Sequence, residues 1–238
     1  MRTAVLRPAN SDALPALVFF SDIFQLTPST LRMATRFASY GFLVAAPEMY
    51  YRSEPPGTAF PFDDAGRERG IVAAKKTKAA DVDADISALV DWVRVRPDVA
   101  PGEVGAVGFC FGGHVAFRAA RNPHVRTTVC YYPTGLSDGA LGSEADAGSL
   151  QRAGEIHGSL LLVFGTQDPH VPFEARIAVA SALASAGTNA RIAHYEAEHA
   201  FMRDEGPRSD PELADRAFAE GVSALRLTLA TGAPSAPR

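Results

Sequence analysis

Cys110 sits between two glycines in the run Gly108-Phe109-Cys110-Phe111-Gly112, inside "VGAVGFCFGGHVAFRAA" at 104–120. The apolar run "VGAVGF" before it reads as a strand and "GGHVAFRAA" after it as a helix, so the cysteine falls on a strand-to-helix turn. A nucleophile on such a turn needs small flanking residues that let a strained backbone project one side chain over the sheet. The helix start adds unpaired N–H groups and a positive dipole end, which favour the thiolate, the form that attacks carbonyl carbon. The competing reading is a buried structural cysteine with glycines for close packing, because short motifs also recur by accident.

A thiolate on this turn requires a base and an acid further along, in the order nucleophile, acid, histidine. Asp168 follows the apolar run "LLLVFG" in "TQDPHVP", and His199 follows "ARIAHYE" in "AEHAFMRDEG". Both therefore fall at strand C-termini, the edge of a parallel sheet where sites form. His199 would take the thiol proton or hold it as an ion pair, and Asp168 would orient the imidazole. Alternatives are a turn-capping Asp168 before Pro169 and a solvent-facing or helix-capping His199. His170 and His114 are rival bases, and His194 reads as a mid-strand structural residue. A tetrahedral oxyanion needs two donors: the N–H of Phe111, just after the nucleophile, and that of Ile23 in the early loop "SDIFQL".

The elements that would position these residues follow from periodicity. Strands are expected at 16–20, 42–47, 104–109, 127–132, 160–165 and 190–196, all nearly free of polar alternation and so read as buried on both faces. Helices are expected at 29–40 (capped by Thr27-Pro28-Ser29), 80–94, 113–121, 173–186 and 211–229. Alternating strands and helices define an α/β fold with a mostly parallel central sheet covered on both faces. Residues 1–230 read as a single domain, 50–78 as a long loop or lid without clear periodicity, and 231–238 as a disordered tail.

The chain has 238 residues, 47% of them hydrophobic, and a net charge of −4 spread along its length. That is enough apolar material for a sizeable core, and no basic tract points to nucleic acid. No apolar run is long enough to cross a bilayer, and the N-terminal stretch has no long apolar run behind a charged start, so a cytoplasmic location is expected; with no apolar stripe left over after the core is built, a monomer is expected. Cys110 and Cys130, each at or beside an apolar strand, are expected to be free thiols. No His, Cys or Asp cluster has metal-ligand spacing, so neither metal nor other cofactor is expected.

The stretches "SDIFQLTPSTLRMATRFASYGFLVAAPEMYYR", "EPPGTAF", "VGFCFGGHVAFRAA", "GTQDPHVP" and "EHAFMRDEG" together resemble the dienelactone hydrolase (carboxymethylenebutenolidase) family, over nearly the whole chain. The resemblance implies an α/β-hydrolase fold and a Cys110–His199–Asp168 triad working through a thioester, with Phe111 and Ile23 as the oxyanion hole. The family commonly carries a glutamate before Ile-Phe that helps generate the thiolate; here that position is the shorter Asp22. The family also holds a substrate carboxylate with arginines, which matches Arg203, and in "GRERG" either Arg67 or Arg69. The implied substrate is a small ester or lactone, an unsaturated γ-lactone bearing a carboxylate being the family type. Two rival readings remain: a general carboxylesterase or thioesterase without a dedicated arginine site, and a noncatalytic ligand-binding protein on the same fold.

Overall fold

The computed structural model describes residues 1–9 and 12–229, the side chain of Glu103 excepted. The tail expected at 231–238 lies outside the described residues. Seven strands form one sheet in the order β1-β3-β2-β4-β5-β6-β7. Six of these are parallel: β2 (Leu14–Phe20), β3 (Leu43–Pro47), β4 (Val99–Phe109), β5 (Val125–Tyr131), β6 (Ser159–Gly165) and β7 (Ala190–Tyr195). β1 (Thr3–Leu6) pairs antiparallel with β3, and its four residues are too few to show a pattern in sequence.

The helices are α1 (Pro28–Ser39), α2 (Asp64–Lys76), α3 (Ala79–Arg94), α4 (Phe111–Ala119), α5 (Phe173–Ser185) and α6 (Pro211–Thr228). Alternate residues of β2 feed two cores, as the two-residue pleat requires. Ala16, Val18 and Phe20 pack with α3, α4 and α5, whereas Leu17 and Phe19 pack with α1 and α6. Cys110 lies at the seam and touches both clusters. Thr27 caps α1 by accepting from the Thr30 N–H, as its sequence suggested.

Two expectations are corrected. The segment 50–78 is not a loop throughout, because α2 occupies Asp64–Lys76 with Asp63 as its cap, accepting from Gly66 N–H at 2.7 Å. Gly66 and Gly70 disguised the helix, since glycine costs about 1 kcal/mol there relative to alanine. Both are needed for contact: a Cβ on Gly66 would lie 2.0 Å from the Pro61 carbonyl oxygen, and one on Gly70 2.6 Å from that of Ile23. Likewise β7 is not buried on both faces; it is the sheet edge and is half-exposed along its length.

Candidate active site

Cys110, Asp168, His199 and the Asp22–Ile23 pair each follow the C-terminal end of a parallel strand (β4, β6, β7 and β2), at one edge of the sheet. Cys110 follows β4 directly with φ 55 and ψ −120, a strained conformation for a non-glycine residue. Its N–H donates to the Tyr131 carbonyl at 3.0 Å, and its own carbonyl accepts from Gly113 at 2.9 Å, so both the neighbouring strand and α4 fix the strain. The flanking glycines are there for space: a Cβ on Gly108 would lie 1.9 Å from the Gly112 carbonyl oxygen, and one on Gly112 2.1 Å from that of Ser21. Three further non-glycine residues with positive φ ring the same edge: Gln25, Tyr132 and Ala200, which directly follows His199.

His199 and Asp168 are both buried, and the Nδ1–H of His199 donates to Asp168 Oδ2 at 2.7 Å. The other Asp168 oxygen accepts the His170 N–H at 2.8 Å, which fixes the carboxylate's rotation. With Nδ1 engaged, Nε2 is the nitrogen left for Cys110. Burial is the largest single influence on His199 and works against its charge, but the Cys110 charge, the Asp168 hydrogen bond and a hydrogen bond with Cys110 outweigh it. The imidazole is raised to about 10. The arrangement therefore favours the charged imidazolium at neutral pH. Cys130 is also a free thiol but is fully buried, and burial pushes it up, so it stays protonated.

Phe111 directly follows Cys110, and Ile23 lies in the loop after β2. Phe111 opens α4, so its N–H has no partner within the helix. Among the described residues, neither that N–H nor that of Ile23 has a backbone acceptor. The loop carrying Ile23 is clamped from two sides, by Gly112 of α4 against the Phe20 and Ser21 carbonyls and by Gly70 of α2 against Ile23 itself.

Asp22 is buried, and its two oxygens are taken by the Phe24 N–H at 2.9 Å and by Arg203 Nη2 at 2.6 Å. Arg203 also stacks over the rings of Phe62 (4.3 Å) and Phe24 (5.0 Å), while its Nε is buried without a partner. Asp22 at rest is thus held by the arginine. Arg69 is exposed, paired with Glu54 at 3.0 Å and lying over Phe60. Arg67 is exposed on α2, 3.6 Å from Asp64, and lies within electrostatic reach of His170. Of the two, Arg67 is on the side of His199, since His170 packs edge-on against that imidazole at 4.7 Å.

The rival histidines do other things. His114 is fully buried, donates from Nδ1 to the Thr134 carbonyl at 3.1 Å and accepts at Nε2 from Ser149 at 2.7 Å. Burial and then the Arg118 charge depress it to about 3, so it is a neutral structural residue. His170, exposed at the surface, is also held down, by desolvation first and by the His199 charge second. The sequence reading passed over Tyr132, Tyr50 and Ser21. The Tyr132 ring packs against His199 at 5.2 Å, and the Tyr50 hydroxyl and Ser21 Oγ are buried without partners. The one available signal was that Ser21 and Tyr132 each directly follow a strand.

Strand order, an elbow at the end of β4 and a histidine–acid pair beyond β6 and β7 define an α/β hydrolase. The model of the dienelactone hydrolase family matches residues 1–228, and the chain belongs to that family of carboxylic ester hydrolases. It is 32% identical over 195 residues to a "Putative carboxymethylenebutenolidase" of Saccharomyces cerevisiae, covering 80% of this chain and 71% of the relative. To the carboxymethylenebutenolidase of Pseudomonas putida it is 30% identical over 203 residues, covering 82% of this chain and 78% of the relative. The crystal structure of a "Putative Dienelactone Hydrolase" from Klebsiella pneumoniae superposes with a TM-score of 0.80 at 25% identity, covering 92% of this chain and 90% of that one.

Proposed function

We propose that this protein is a cysteine hydrolase of small esters or lactones, acting as a monomer in the cytoplasm, and that Cys110, His199 and Asp168 are its triad. The observation that carries the reading is the strained Cys110 beside a buried imidazole whose far nitrogen is held by Asp168. The Cys110 thiolate attacks the acyl carbon, and the carbonyl electrons move to an oxygen received by the N–H groups of Ile23 and Phe111. Collapse breaks the acyl–oxygen bond. The leaving oxygen keeps the electron pair and takes the proton from His199, leaving a thioester. His199, now neutral, removes a proton from water, whose oxygen attacks the thioester; Cys110 leaves as thiolate and the imidazolium is restored.

A carboxylate on the substrate would compete with Asp22 for Arg203, whose unpartnered Nε supports such a contact. Arg67 is the α2 arginine in place to assist; Arg69 is already spent on Glu54. An unsaturated γ-lactone bearing a carboxylate fits this reading. A second reading, cleavage of uncharged esters, is favoured by the same pairing, because Arg203 already has a carboxylate partner at 2.6 Å. Hydrolysis of a dienelactone and of p-nitrophenyl acetate by wild type, Cys110→Ala and Arg203→Met separates them. Loss of both activities in Cys110→Ala is expected, together with a lactone-selective loss in Arg203→Met. Full activity in Cys110→Ala overturns the mechanism.

A further inference from the structure

A cavity of about 270 Å³ opens beside the triad, between α1, the start of α6 and the ends of β2, β4 and β5. Cys110, His199 and Asp168 do not line it, whereas Asp22, Tyr132 and Arg203 do. All three of those residues also lie within electrostatic reach of one another, and Tyr132 within reach of Cys110, so they form the wall shared with the triad. The Tyr132 ring stands edge-on to the His199 ring at 5.2 Å. Tyr132 thus lines the cavity with one part of its ring and packs on the imidazole with another.

Its chemistry is mixed. Phe19, Met33, Phe109, Met202 and Ala214 make an apolar body, and the Ser21 Oγ, fully buried without a partner, is a polar point within it. Each lining arginine is already answered by a carboxylate: Arg32 by Asp204 and Glu205, Arg36 by Asp215, and Arg203 by Asp22. An anion entering would have to displace one of those carboxylates from its arginine, so the cavity favours a neutral, largely apolar group with one hydrogen-bonding atom.

We infer that this cavity is the leaving-group subsite, which holds the uncharged alcohol portion of an ester. A ring or branched chain of up to roughly ten non-hydrogen atoms fits, scaling from the cavity size that holds benzene. A pendant hydroxyl or ether oxygen on it bonds to Ser21. The assignment rests on the proposal that Cys110 cleaves esters. When the acyl–oxygen bond breaks, the alcohol oxygen keeps the electron pair, takes the His199 proton, and the neutral alcohol remains in the cavity until released.

The test has two arms. In the first, methyl acetate and benzyl acetate are hydrolysed by wild type and by Met33→Trp, which fills the cavity from α1. Wild type prefers the benzyl ester by roughly tenfold or more in kcat/KM, and the substitution brings the ratio close to one. In the second, benzyl alcohol is titrated calorimetrically into Cys110→Ala protein with and without Met33→Trp, and saturable binding disappears with the tryptophan. Ala214→Leu, on the α6 wall, replaces Met33→Trp should that variant fail to fold. Ester turnover with no benzyl preference, or a preference and binding untouched by either filling variant, overturns the subsite alone. Binding lost on filling but with no ester turnover in wild type refutes the hydrolase reading and, with it, the assignment to an alcohol.

Discussion

Gly112→Ala isolates the claim that close packing at the elbow holds the oxyanion donors. Gly112 lies in α4 without a positive φ, so alanine fits its backbone and only the added methyl matters. That Cβ would lie 2.1 Å from the Ser21 carbonyl oxygen and 2.4 Å from that of Phe20. Relief requires the Ser21–Ile23 loop to retreat from α4 by about 1 Å, since carbon and oxygen do not approach below roughly 3 Å. Overpacking of this kind costs about 1–3 kcal/mol, against which the helix propensity of alanine returns at most about 1 kcal/mol. For a chain of this length the fall in Tm is then up to roughly 10 °C. The activity loss is larger. A displacement of about 1 Å takes the Ile23 N–H away from the oxyanion and lowers kcat/KM by about a hundredfold. The assay is p-nitrophenyl acetate hydrolysis beside a thermal melt, with Gly154→Ala as control, where the new Cβ meets only one atom, at 3.9 Å. Gly112→Ala protein that melts lower yet hydrolyses at the wild-type rate would refute the packing argument, as would a loss of activity matched by the control.

His114→Leu strips partners from Thr134 and Ser149, so stability falls by about 1–3 kcal/mol in a urea titration while kcat/KM stays at the wild-type value; a lost activity in folded protein would return His114 to the catalytic candidates. His199 has a folded pKa of about 10 against about 6.5 unfolded, so its stabilising contribution is fully present below 6.5 and drains away as pH rises through 10. Melts at stepped pH should therefore fall more steeply above neutrality in wild type than in His199→Gln, and parallel curves would contradict the ion pair. Arg203→Met leaves Asp22 buried without its arginine and costs about 3 kcal/mol by the same melts, with an unchanged Tm refuting the energetic role of the pair.

The order of Cys110, Asp168 and His199 could be read in the sequence because each comes just after an apolar run, and parallel strands deliver the residues at their C-terminal ends to one edge. Phe111 and Ile23 were named from the elbow itself, one as the residue after the nucleophile and the other in the loop after an early strand. Helix α2 was hidden because Gly66 and Gly70 look like loop residues until the carbonyls they accommodate are seen. The arginines could not be sorted for a related reason: Arg67 and Arg69 are two residues apart, and only on a formed helix does one turn toward His170 and the other toward Glu54. Tyr132 and Ser21 are ordinary residue types in apolar surroundings. Their position at the cavity wall comes from how α1 and α6 pack on the sheet, which no local pattern encodes.

The central claim is that acyl transfer passes through the Cys110 sulfur. Wild-type protein mixed with p-nitrophenyl acetate, quenched in acid within the first turnovers and digested, can be examined by mass spectrometry for an acetylated Cys110 peptide, with His199→Gln to slow hydrolysis of the thioester. The account predicts the acetyl group on Cys110, with Cys130 unmodified, and none on Cys110→Ala protein. Rapid ester turnover with no acetyl group ever found on Cys110 would contradict it.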